Sequence, residues 1–121
     1  MKENRVKEYN EKSITNVSMD SIGKMGEILI DAKNNVIRQL YEEIGIEMYD
    51  ENNNPKISAQ IIYEANQKQK EVRLIEDYGK SIMQVVDKST GTEDIIIECE
   101  LVYEYNKELD NVELKERWAR V

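Results

Sequence analysis

Histidine is absent from this 121-residue chain, and cysteine and proline occur once each. Without histidine there is no Ser-His-Asp triad, no imidazole acid or base and no histidine metal ligand. A lone cysteine, Cys99, cannot close a disulfide within the chain, which fits a reducing, cytoplasmic setting. Five glycines and one proline leave little material for a phosphate-cradling loop. Long hydrophobic runs are missing too: apolar stretches such as Ile95 to Ile97 stop at three residues, and the chain opens with Lys2, Glu3, Asn4 and Arg5. The sequence therefore predicts neither a signal peptide nor a membrane span. Together these absences remove most enzyme classes.

What is present is charge. Twenty-five acidic residues against 17 basic ones leave a net charge of −8, and 40% of the chain is apolar, enough for one folded core of modest size. Residues 1–17 carry mixed charge with Val6, Tyr9 and Ile14 as the few apolar handles, and read as a flexible amino-terminal arm. Residues 18–121 read as a single α+β domain, with no linker or repeat to divide them.

Within that domain Ser18 offers an N-cap, and Ile22, Met25, Leu29, Ala32, Val36 and Leu40 follow at spacings of three and four, one face of a helix. Gly45 is its expected C-cap, so the helix should end near Ile44. Residues 56–88 admit two readings. Ile57, Ala59, Ile61 and Tyr63 alternate like a strand, returning as a hairpin from Ile46 and Met48. The favoured reading is a second long helix: Asn54 and Pro55 suit an N-cap and first turn, and Ile61, Ala65, Lys68, Val72, Ile75, Gly79, Ile82 and Val86 recur every 3.5 residues on average. Lys68 and Gly79 are poor seam residues, so a break near Tyr78 is the alternative.

From Ile95 the period changes to two. Ile95, Ile97, Cys99, Leu101, Tyr103 and Tyr105 alternate with Ile96, Glu98, Glu100, Val102 and Glu104, and a second alternation carries Val112, Leu114 and Trp118. Pairing Tyr105 with Val112 puts Tyr103 beside Leu114, Leu101 beside Glu116, Glu100 beside Arg117, Cys99 beside Trp118 and Glu98 beside Ala119. The expected fold is thus two long antiparallel helices in a hairpin, followed by a carboxy-terminal β-hairpin. A lone two-stranded ribbon is marginal in water, which makes completion by oligomerisation part of that expectation.

Several clusters invite a chemical reading. Asp50, Asn52 and Asn54 match the first three ligand positions of a calcium loop, but Pro55 and Ile61 stand where its glycine and bidentate glutamate belong, and an Asn-rich turn is the better reading. Ile22, Gly23, Lys24, Met25, Gly26 and Leu29 resemble the glycine loop of KH domains, which clamps a nucleic-acid backbone. Too few residues precede it for the rest of that fold, and a charge of −8 opposes phosphate binding, so the glycines read as packing or capping residues. Cys99, flanked by Glu98 and Glu100, reads as a buried structural thiol. Glu93, Asp94, Glu98, Glu100, Glu104, Glu108 and Asp110 form an acidic array on the hairpin, read first as a solvated face. The best binding candidate is the concentration of arginine and aromatic side chains at Arg117, Trp118, Arg120, Tyr103 and Tyr105. Its bland counterpart has Trp118 in the core and Arg117 paired with Glu100.

A helical hairpin followed by a β-ribbon is similar, in topology alone, to the oligomerisation core of the small terminase subunits of phages. Those proteins usually add a helix-turn-helix, for which 17 residues are too few. The sequence reading is a non-catalytic, acidic, cytoplasmic homo-oligomer of bacterial or phage origin that binds or assembles a protein partner, with no cofactor, no metal and no direct nucleic-acid contact. Its alternative is an anti-defence inhibitor that mimics nucleic acid toward a basic protein or sequesters a small nucleotide near Arg117 and Trp118.

Overall fold

A computed structural model describes residues 9–15, 22–106, 108 and 111–121, with side chains described for residues 26–106, 108 and 112–121. The elements run β1 (Tyr9–Thr15), α1 (Ile22–Glu43), α2 (Ser58–Gln67), β2 (Lys70–Asp77), β3 (Lys80–Asp87), β4 (Asp94–Asn106) and β5 (Asn111–Arg120). The five strands form one antiparallel sheet in the order β1-β5-β4-β3-β2. From β1 at one edge the chain passes through both helices to β2 at the other edge. It then returns strand by strand until β5 closes against β1.

α1 ends as its sequence predicts. Gly45 takes φ +87°, its N–H donates to the Glu42 carbonyl at 3.0 Å, and the Ile46 N–H reaches back to the Tyr41 carbonyl at 3.0 Å. These two bonds make a Schellman stop, and only glycine enters that backbone region without strain. The Ser18 cap lies outside the described residues. One stripe of α1, Ala32, Val36 and Leu40, is buried on the sheet against Met83, Val85, Ile97, Cys99, Leu101, Val112 and Leu114. Each large aliphatic side chain so enclosed contributes about 2 kcal/mol.

The expected helical hairpin does not form, although the α+β class does. α2 stops at Gln67 after ten residues, and residues 70–87 of the expected seam are a β-hairpin instead. The reversal sits at the two poor seam positions. Lys68 is the helix C-cap, followed by Gln69 at φ +55°, and Gly79, at φ +71°, makes the β2–β3 turn. Long-range partners decide the outcome. Met83 lies across from Cys99 and Val85 across from Ile97, and β3 buries both side chains in the core shared with β4 and α1. The helix also begins later than Asn54 and Pro55 suggested. Its first residue is Ser58, and the Ile57 N–H donates to Gln60 Oε1 at 2.9 Å. Residues 48–56 instead make a small turn, with Tyr49 bridged to Pro55 and the Lys56 N–H on the Met48 carbonyl.

The β4–β5 register is the one read from the alternation: Tyr105 faces Val112, Tyr103 Leu114, Leu101 Glu116, Glu100 Arg117, Cys99 Trp118 and Glu98 Ala119. This ribbon is not alone, because β3 and β1 of the same chain flank it. Its need for strands from other copies is thereby removed. Residues 9–15, inside the segment read as an arm, are paired along their whole length with β5, from Tyr9 on Ala119 to Thr15 on Glu113. No helix among the described residues is long and apolar enough to cross a membrane.

Candidate functional site

Because successive strand residues point to opposite faces, the register sorts the arginine and aromatic cluster. Tyr103, Tyr105, Trp118 and Arg120 pair with Leu114, Val112, Cys99 and Ile97, and so share the face that α1 covers. Arg117 pairs with Glu100 and lies on the other face, with its guanidinium 3.8 Å from that carboxylate. The sheet thus stands between Arg117 and the other four. Trp118 packs partly buried against the core, and its indole N–H donates to Glu116 Oε2 at 3.2 Å. Arg120 is ion-paired with Glu43 in the last turn of α1, where a cation also suits the helix dipole. Tyr103 packs on the core, and Tyr105, at the far end of the ribbon, is 40% exposed.

The acidic array is interleaved with donors. On the face opposite α1, Glu98 accepts from Gln84 Nε2 at 3.1 Å, and Arg73 bridges Glu71 at 2.7 Å and Glu93 at 2.8 Å. Hydrogen bonds from Arg73 and Lys88 hold the Glu71 carboxyl below the usual carboxylate range. Glu104 and Glu113 face each other directly across the ribbon. The turn at 50–54 is organised from within: Asp50 Oδ1 accepts the N–H groups of Asn52 and Asn54, both at 2.9 Å, and Asn53 sits at φ +63°. That carboxylate braces backbone, as in an ordinary Asx turn. Gly23 and Gly26 fall inside α1 rather than in a loop, and a Cβ on Gly26 would meet nothing within 4 Å. Cys99 is fully buried, and burial together with the nearby Glu116 and Glu100 carboxylates pushes its thiol up to about 12. Such a thiol is inert as a nucleophile at neutral pH.

A different surface stands out on exposure. Tyr49, Ile57, Ile62 and Tyr63 are 53%, 65%, 50% and 63% exposed, and all lie in residues 49–63. α2 buries only Ala65 fully, with Ile61 half-buried, while Ala59, Ile62 and Tyr63, at i, i+3 and i+4, share its solvent face. The Lys56–Glu64 ion pair, 3.0 Å, fixes the approach of the turn to this helix. Beside Tyr49 an open cleft of about 760 Å³ runs between the end of α1 and the turn, lined by Arg38, Glu42, Ile46, Glu47, Met48 and Asp50 among others. Arg38 there donates to Asn35 Oδ1 at 2.8 Å and lies 3.9 Å from the Glu42 carboxylate.

Sequence reasoning missed this surface. The seam assigned Ile61 and Ala65 to the interior, correctly for that turn of helix, but left Ile62 and Tyr63 unassigned. Two large apolar residues off the seam of a polar helix were the available signal. Comparison of the chain with family models, with curated proteins and with solved structures returns no match. The class is therefore defined by architecture alone: an α+β chain with one antiparallel sheet, one face under a long helix and a short second helix carrying apolar side chains into solvent.

Proposed function

We propose that this chain is a non-catalytic, cytoplasmic binding and assembly protein that acts as a homo-oligomer and engages a protein partner through residues 49–63. The observation that supports this reading is the outward apolar face of α2. Folding leaves Ile57, Ile62 and Tyr63 at least half exposed, and apolar residues clustered in exposed positions characterise protein contacts. Tyrosine also suits such a role, since it contributes contact area at little entropic cost. Glu47, Asp50 and Glu51, with no basic residue between Gly45 and Pro55, give the surface an acidic border. The fitting partner has an apolar groove with a basic rim, entered by one face of α2 in the helix-in-groove manner.

The test is affinity capture from the source cell with the wild-type chain and with an Ile62→Asp, Tyr63→Ala double variant whose folding is verified by circular dichroism. A protein retained by the wild type and released by the variant supports the reading, and its binding should weaken only modestly with salt. Identical captured sets overturn it. A nucleotide that co-purifies with both forms favours sequestration instead.

A further inference from the structure

β2 is an edge strand, and among the described residues no hydrogen bond reaches the backbone of its outer side. Its exposure is uneven. Lys70–Arg73, next to the end of α2, is half-buried, whereas Leu74, Ile75, Glu76 and Asp77 are exposed, with Leu74 at 47% and Ile75 at 44%. Five of the eight residues are charged, which blunts indiscriminate pairing and at the same time selects a register.

We propose that the outer edge of β2 pairs antiparallel with β2 of a second copy, about a two-fold axis at Ile75. The inference rests on the homo-oligomeric part of the function proposed above and names the surface that carries it. Two copies related by an axis normal to the sheet keep their faces aligned, so only residues of the same face meet. Centring the pair on Leu74 sets Glu71 against Asp77, centring on Arg73 sets Arg73 against itself, and centring on Glu76 sets Glu76 against itself. Centring on Val72 uses the half-buried part beside α2. Centring on Ile75 uses the exposed half, places Arg73 across from Asp77 twice and sets Ile75 against Ile75. The Val72 register would also pair Glu71 with Arg73 twice, but through side chains half-buried beside α2. The Ile75 register combines charge complementarity and apolar contact on the exposed half, with Leu74 across from Glu76 and with Arg73 shared between Asp77 of the second copy and its own Glu71 and Glu93. A strand pair of this length falls short of the roughly 800 Å² per partner of a standard interface, so the dimer exchanges in the micromolar range.

The experiment is sedimentation velocity over about a hundredfold concentration range, on the wild type and on Ile75→Lys. The substitution sets two like charges across the axis at a position 44% exposed, and thermal unfolding checks that the fold is kept. It should raise the dimer dissociation constant at least about tenfold. A second measurement uses Ile75→Cys and Asp77→Cys under mild oxidation with diamide. Directly paired residues meet the roughly 4.4–6.8 Å Cα separation a disulfide needs, whereas two Asp77 positions, four residues out of register, are roughly 13 Å apart. Buried Cys99 does not compete. Ile75→Cys should cross-link at least about tenfold faster. A dimer indifferent to Ile75→Lys, or equal cross-linking rates, overturns the β2 surface and leaves the oligomer reading standing. A monomer at every concentration overturns both.

Discussion

The indole N–H of Trp118 donates to the carboxylate of Glu116, two residues earlier on the same face of β5, at 3.2 Å. Glu116 is 7% exposed, and the only other buried polar residue among those described is Ser81, whose hydroxyl donates to Glu76 at 2.8 Å. A buried carboxylate left without a donor is costly, so the indole supplies packing and polar satisfaction together. Trp118→Ala should destabilise the protein by about 3 kcal/mol, and Trp118→Phe, which keeps most of the area and loses the donor, by about 1.5 kcal/mol. Urea denaturation followed by circular dichroism measures both. A near-neutral Trp118→Ala would show that the ring does not serve the core.

Cys99 should not react with a thiol reagent in the folded protein at pH 8 and should react at once in denaturant, because access requires unfolding. The linkage has a definite sign. Its folded pKa of about 12 lies above that of an unfolded thiol, so the stabilisation is fully present below pH 9 and is lost as pH rises toward 12. Over that window the thiol lowers stability by up to about 1.4 kcal/mol per pH unit. Cys99→Ala should remove that component of the alkaline slope in denaturation curves.

Gly45→Ala isolates backbone strain. A Cβ there would approach Lys68 Nζ at 3.6 Å and Cε at 3.7 Å, ordinary contacts, so nothing clashes. The cost comes from φ +87°, and about 1 kcal/mol of destabilisation is expected. Thermal unfolding should register it with no change in the secondary-structure spectrum. A rise in stability would mean that the helix stop relaxes into another conformation.

Glu104 and Glu113 are exposed like charges directly opposed on the ribbon. Glu113→Lys should therefore stabilise the fold by about 0.5 kcal/mol at low ionic strength, an advantage that shrinks as salt screens it. Paired denaturation curves at low and high salt test this, and a salt-independent gain would point to packing rather than charge.

How much of this was legible in the linear chain varies with the range of the forces involved. The stripe from Leu29 to Leu40, the stop at Gly45 and the β4–β5 register follow from local periodicity, and a one-residue slip in the register would carry Trp118 to the face of Glu98 and Glu100. Residues 68–87 were not legible in the same way, because their apolar positions satisfy a 3.5-residue seam and a two-residue alternation alike. Lys68 and Gly79 flagged the fault without saying which structure replaced the helix.

The sequence by itself determined the α+β class, the absence of histidine chemistry, the first helix and the pairing of the last two strands, since each depends on residues close in the chain. Only the tertiary structure decided that Val72, Met83 and Val85 lie in strands, that Tyr9–Thr15 pairs with β5, and that Arg117 is parted from Trp118 by the sheet. It also decided that Ile62 and Tyr63 face solvent. Those outcomes hang on contacts between residues far apart in sequence, whose burial outweighs local propensity once the sheet is assembled.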